Sequence, residues 1–264
     1  MTILRSRDNP RIRRWRKLIT DRNARRRARC AWIEGTRLVA AYLGACGAPV
    51  TLVISDQAGE SPEVTKLVAR AGIEPVVLSA AVFASLADTE TPQGIAAEIE
   101  IPDSPVATEI VAQCVFLDGV ADPGNLGAIL RSVAAFGVPE VVLGGGCADP
   151  WAPKVLRAAM GAHFTLRLEE AADLPGRFAA FAGDRLCTVP RGGTPLHEVD
   201  LRGRHAWVFG SEGKGVRDAV ATAATRQVCI PMAETAESLN VAVAASICLY
   251  EAARQRRAPL PHRQ

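Results

Sequence analysis

The chain has 264 residues, 48% of them hydrophobic and 22% charged, with a formal net charge of +3. This composition excludes a chain disordered throughout. It suits one large or two modest domains whose core needs no disulfide or metal staple. The longest uncharged run, residues 38–55, contains Gly44, Gly47 and Pro49, so it predicts helix, turn and strand rather than a membrane span.

Charge is unevenly distributed. Residues 1–37 hold 13 basic and 3 acidic side chains, a net +10; the remainder holds 18 basic and 25 acidic, a net −7. Arginines at positions 5, 7, 11, 13 and 14 occupy the place an apolar secretory segment would need. Asn9-Pro10 reads as a helix N-cap followed by Pro at the first helical position. Ile12, Trp15, Leu18 and Ile19 then fall on one face, with basic residues around the rest and a second basic cluster over residues 22–29. A basic arm on an acidic body predicts a polyanionic partner, with Arg11, Arg13, Arg14, Arg25 and Arg26 as candidate phosphate contacts. A membrane-surface helix is the rival, disfavoured by an apolar face that is narrow and holds a single Trp.

Strands and helices then alternate: strands over 50–55 and 75–79, a helix over 61–72 and a strand over 94–101. Pro102-Asp-Ser-Pro105 is the linker candidate, placing one domain over 1–101, a linker over 102–109 and a second domain over 110–264. A second alternation follows: strand 115–120, helix 125–136 ending at Gly137, strand 140–143, helix 153–162 and strand 164–168. A weaker unit spans 174–190, then strand 206–209, helix 216–224, strand 228–232 and a long helix 237–256. Alternation with buried strands predicts an α/β fold built on a largely parallel sheet covered by helices. The seven cysteines are scattered without a C-x-x-C pair. They predict free thiols in a cytoplasmic protein rather than a zinc ribbon or redox dithiol. No cluster has metal-ligand spacing, and the four histidines are isolated.

Three strand ends are rich in glycine. The first runs from Asp118 through Asp122-Pro-Gly-Asn-Leu-Gly127 into a helix carrying Arg131, the second is Phe209-Gly-Ser-Glu-Gly-Lys-Gly215, and the third joins Ile230-Pro-Met232 to Glu237-Ser-Leu-Asn240. None matches G-x-G-x-x-G, and Gly210–Gly215 lacks P-loop spacing and its final hydroxyl. Nicotinamide chemistry and ATP hydrolysis are therefore disfavoured. Loops of Gly and Pro let main-chain groups approach a small polar ligand closely. Glu212 favours a positive charge on it, and an adenosyl sulfonium is one such ligand.

In order and spacing, Asp122–Arg131 with Phe136-Gly137, Gly210–Gly215, and Ile230–Met232 with Ser238-Leu-Asn-Val241 resemble the three motifs of the SpoU/TrmH family of the SPOUT superfamily. These are S-adenosyl-L-methionine-dependent RNA ribose 2′-O-methyltransferases. Val155–Arg157 through Met160–Ala162 resembles an intervening segment of the family. Residues 1–101, with Asp8-Asn-Pro10, Glu34-Gly35 and Thr91-Pro-Gln-Gly94, are similar to its N-terminal substrate-binding domain.

The resemblance implies a C-terminal parallel sheet with a deep trefoil knot, a smaller N-terminal ribosomal-protein-like α/β domain that holds RNA, and a homodimer. It implies S-adenosyl-L-methionine bound by Gly210, Ile230, Met232, Ser238 and Leu239, and catalysis by Asn125, Arg131, Glu212, Ser238 and Asn240, with no metal. Ala159 stands where the family often has a small hydroxyl residue, so no role carries over there. Asn125, Ser238 and Asn240 also have a purely structural reading, as helix caps. The expected substrate is structured RNA, ribosomal before transfer RNA. The different-class alternative is a non-catalytic RNA-binding protein of the same fold.

Overall fold

The computed structural model describes residues 3–89, 91–102 and 112–257. All but the first residue of the expected linker over 102–109 lies outside them. The chain forms two compact units, Met1–Asp103 with Asp149–Phe164, and Ser104–Ala148 with Thr165–Gln264.

The first unit begins with β1 (Ile3–Leu4), α1 (Pro10–Thr20) and α2 (Arg22–Ala28). As the sequence predicts, Asn9 caps α1 by accepting from the Arg11 N–H at 2.9 Å, and Ile12, Trp15 and Leu18 are buried. Asp21 caps α2 in the same way. Then come β2 (Cys30–Glu34), α3 (Thr36–Ala45), β3 (Thr51–Ser55), α4 (Pro62–Ala71), β4 (Val76–Leu78), α5 (Ala80–Ala84) and β5 (Ile95–Glu100). The strand order is β1-β4-β3-β5-β2. β4 is parallel to β1 and β3, whereas β5 is antiparallel to both β3 and β2. This sheet is mixed, not largely parallel. Side-chain patterning reports which face of a strand is buried, not which way the chain runs, and the segment after α5 returns antiparallel.

Arg14 and the Trp15 indole converge on Glu98 of β5. Arg14 Nε and Trp15 Nε1 each donate to the otherwise buried carboxylate at 2.9 Å. One ion-paired donor and one neutral hydrogen-bond donor are what make a carboxylate tolerable there.

The second unit starts with β6 (Gln113–Asp118), α6 (Pro123–Ala135) and β7 (Glu140–Leu143). The chain then contributes Asp149–Phe164, with α7 (Pro153–Ala159), to the first unit, where α7 packs on β2. The expected strand over 164–168 is displaced. Ala162–Phe164 is a 3-10 turn whose Phe164 ring meets Tyr42 edge-on, and the strand is β8 (Arg167–Glu170). The second unit continues with α8 (Leu174–Ala179), β9 (Asp184–Thr188), β10 (Thr194–Pro195), β11 (His205–Gly210), α9 (Asp218–Ala221), β12 (Arg226–Cys229) and α10 (Val241–Arg257).

Its seven strands run in the order β10-β12-β9-β11-β6-β7-β8, and every pairing is parallel. All six residues of β6 and of β11 are buried, as central strands covered on both faces must be. α10 packs along α6, joined by a 2.8 Å hydrogen bond between the Ser132 and Ser246 hydroxyls. Among the described residues, no helix is long and apolar enough to cross a membrane.

Candidate active site

The three glycine-rich segments lie at the carboxyl ends of β6, β11 and β12, where open parallel sheets bind ligands. The last two border a cavity of about 340 Å³, together with Thr188, Val189 and Pro190 at the end of β9. Gly210, Ile230, Met232, Ser238 and Leu239, the five expected cofactor contacts, all line it, as does Glu212. Val189, Ile230 and Leu239 supply apolar wall, and the loop from Gly210 to Gly215, half of it glycine, supplies polar lining with Ser211, Glu212 and Lys214. Residues 188–190 were not anticipated. They lie at the end of a strand too weakly patterned in sequence to be placed, and the parallel pairing of β9 with both β11 and β12 brings them here.

Local geometry requires the glycines. Ser211 and Gly215 exchange backbone hydrogen bonds at 3.1 and 2.9 Å, which doubles the loop back on itself. A Cβ on Gly210 would lie 2.0 Å from the Gly215 carbonyl carbon, so the loop seats directly on a bare α-carbon. Gly215 itself has φ +66°, in the left-handed region.

Asn125 is not a cap. Asp122 caps α6, accepting from the Asn125 N–H at 2.7 Å, with Pro123 next in line. The Asn125 amide is thereby free for other work. Its Nδ2 donates to Glu212 Oε1, and its Oδ1 accepts from Asn240 Nδ2 at 3.0 Å. Asn240 also caps α10, accepting from the N–H groups of Ala242 and Val243 at 2.9 and 3.3 Å. One chain of side-chain hydrogen bonds, Glu212–Asn125–Asn240, therefore ties together all three segments, which are far apart in sequence. Glu212 reaches Asn125.

Arg131 is exposed on α6, makes no hydrogen bond or ion pair among the described residues, and does not line the cavity. It lies one helical turn beyond Ala128. Ala128 borders an apolar groove with Phe136, Val243, Ile247 and Tyr250, and the last three of these are 47%, 36% and 56% exposed.

The basic arm divides in two. Arg11, Arg13 and Arg26 are exposed, and Arg13, Arg14, Lys17 and Arg27 line an open groove between α1 and α2. Arg14 is half exposed although Glu98 holds it. Arg25 is different. It is 4% exposed, pairs with Asp149 at 2.5 Å and donates to the carbonyls of Leu18 and Ile19. Its guanidinium is buried and engaged by Asp149 and two carbonyls, which places it away from the exposed face where a phosphate would be met. Charge alone does not distinguish a solvated arginine from a buried one.

Residues 112–250 match the SpoU rRNA methylase family, and residues 9–97 match the MRM3-like substrate binding domain. The chain is 33% identical over 253 residues to the 23S rRNA (guanosine(2553)-2′-O)-methyltransferase RlmP of Bacillus subtilis, covering 95% of this chain and 98% of that protein. A crystal structure of an RNA 2′-O ribose methyltransferase superposes with a TM-score of 0.82 at 32% identity, covering 97% of this chain and 99% of the other. An AdoMet-bound rRNA methyltransferase from Sinorhizobium meliloti superposes with a TM-score of 0.83 at 28% identity, with the same coverage. With its strand-end motifs drawn together by one hydrogen-bond chain, this protein belongs to the SpoU rRNA methylase family.

Proposed function

We propose that the protein transfers the methyl group of S-adenosylmethionine to a ribose 2′-hydroxyl of ribosomal RNA, with a guanosine of 23S rRNA as the first substrate to test. The observation that carries the reading is the convergence of the cavity and the Glu212–Asn125–Asn240 chain. Its support beyond geometry is a relative of that activity aligned over nearly the whole chain.

The residues present fit the cofactor. The apolar wall of Val189, Ile230 and Leu239 suits an adenine ring. The bare backbone of residues 210–215 admits close polar contact, and the Glu212 carboxylate complements a sulfonium. When bound, S-adenosylmethionine supplies an electrophilic methyl on a good leaving group. The chain's own task is to bring a weakly acidic alcohol into line with it, an alignment that lowers barriers by up to about 7–11 kcal/mol. Asn125, fixed from both sides, positions the ribose edge of the site. Arg131 clamps the adjoining phosphate and stabilises negative charge developing on the 2′-oxygen; its guanidinium is already protonated and has no lone pair to accept the hydroxyl proton, which is released to water as the methyl is transferred.

The homodimer belongs to the same proposal. The exposed apolar groove of α6 and α10 suits a second copy of the chain, and Arg131 then stands at the edge of that interface. Ile247→Glu is expected to yield a monomer in sedimentation. The threading of the C-terminal segment through a knot is also proposed here. It is supported by a strand order that inserts β11 between β6 and β9 and returns α10 to α6.

The decisive experiment incubates the protein with methyl-labelled cofactor and separate rRNA and tRNA pools. The modified position is then mapped by resistance to alkaline cleavage. Label confined to rRNA at one such position is expected. RNA bound tightly but never labelled would establish the non-catalytic alternative.

A further inference from the structure

The carboxyl end of β6 holds a second tie between two of the motif segments, separate from the Glu212–Asn125–Asn240 chain. Asp118, the last residue of β6, has a side chain only 1% exposed. A carboxylate buried there is costly unless every oxygen is met by a donor and the charge is balanced. Arg217 does both. Its backbone N–H donates to Asp118 Oδ2 at 2.8 Å, its Nε donates to Oδ1 at 2.7 Å, and its Nη2 lies 2.7 Å from Oδ1. The neighbouring carboxylate raises the Arg217 pKa further above its ordinary value. The side-chain pair balances the buried charge of Asp118 and holds it in place, and the backbone contact passes that hold to the main chain of residue 217.

The position of that grip gives it a use. Asp118 is the register partner of Gly210 in the β6–β11 ladder. Gly210 is where the cavity loop leaves the sheet, and Arg217 lies two residues beyond its other end at Gly215. One residue of the central strand is thus bonded to the exit of the loop and paired in the sheet with its entrance. Between these two points the loop carries Glu212 and forms a wall of the cavity. The rest of the loop is exposed and is held by the Ser211–Gly215 hydrogen bonds.

We propose that Asp118 and Arg217 are a positioning pair that closes the Gly210–Gly215 loop into its ligand-ready shape and so sets cofactor affinity. The inference rests on the reading of the cavity as the S-adenosylmethionine site. Neither residue touches the reacting atoms. Loosening the loop lowers affinity because binding must then order it, while a bound complex has the same geometry as before. Arg217 is 57% exposed, so its removal opens no cavity in the core.

The test compares Asp118→Asn, Arg217→Ala, Arg217→Lys and the Asp118→Asn/Arg217→Ala double variant. Hydrogen exchange of the Ser211 and Gly215 amides without cofactor is read first, then S-adenosylmethionine Kd by calorimetry, then kcat at saturating cofactor and RNA. Loss of the pair is expected to deprotect both amides and to raise Kd about tenfold, with kcat changed less than about threefold. The double variant should be no worse than the poorer single one, and Arg217→Lys should recover part of the affinity. Unchanged protection and Kd in Arg217→Ala, or a fall in kcat with Kd unmoved, would overturn the proposal, as would losses that multiply in the double variant. If Asp118→Asn does not fold, the two Arg217 variants carry the test alone. Absence of cofactor binding by the unaltered protein would instead refute the reading of the cavity. Amide protection in Arg217→Ala would still decide whether the pair closes the loop.

Discussion

His163 makes the stability of the first unit depend on pH in a direction that the structure specifies. The ring is 1% exposed, and its Nε2 lies 2.7 Å from the Pro150 carbonyl oxygen, which fixes Nε2 as the protonated, donating nitrogen. Nδ1 is buried without a hydrogen-bond partner among the described residues, and the centroid of the imidazole lies 5.1 Å from that of the Trp151 ring. A second proton would have to sit on that nitrogen, and burial lowers the pKa from 6.5 to about 4. The folded state therefore refuses a proton that the unfolded chain accepts between roughly pH 6.5 and 4. Stability is full above pH 6.5 and falls as the pH drops through this window. From pH 7 to pH 5 the loss from this one group is about 2 kcal/mol. Three of the four tryptophans, Trp15, Trp32 and Trp151, belong to the first unit, so intrinsic fluorescence during urea unfolding reports chiefly on it. His163→Gln retains an amide donor for Pro150 but does not titrate. The difference in unfolding midpoint between pH 7 and pH 5 should shrink accordingly. An equal pH dependence in both proteins would refute the argument.

Gly210→Ala should raise the S-adenosylmethionine Kd at least about a hundredfold, measured by calorimetry, because the added methyl would displace the whole Gly215 turn. Arg25→Ala should cost about 3–5 kcal/mol in urea unfolding by stranding Asp149, whereas Arg11→Ala and Arg13→Ala should leave stability unchanged and each reduce the salt dependence of RNA binding by about one phosphate contact. Arg131→Ala should reduce kcat at least about a hundredfold with cofactor binding intact, and Arg131→Lys should not restore it if the planar fork is needed.

The elements legible from sequence are those whose signals are local. The Asn9-Pro10 cap and the Ile12–Trp15–Leu18 spacing define α1, and uninterrupted apolar runs mark β6, β7 and β11. The cavity residues were legible because a loop that offers its backbone to a ligand must be built from glycine and proline, and those residues stand out in a string of letters. What escaped depends on distant partners. β2 follows directly on a run of arginines and holds only five residues, so the charge cluster masked it. Asn125 supports both a catalytic and a cap reading in sequence, and only the structure assigns the cap to Asp122, three residues earlier. Arg25 looked like its neighbours until Asp149, over a hundred residues away, was placed beside it. Asp118 and Arg217 carried no signal separately, and their joint role exists only through the β6–β11 register.

The return of Asp149–Phe164 to the first unit has a consequence for synthesis. A ribosome making this chain emits all five strands of the first sheet early, yet α7, which packs on β2, arrives only after β6, α6 and β7 have followed. The amino-terminal body must therefore wait, incomplete, while the start of the other body is already being laid down. Neither half is a contiguous stretch of message, and an excised fragment ending at residue 101 would carry an uncovered sheet edge, the kind of surface that sticks to its own copies.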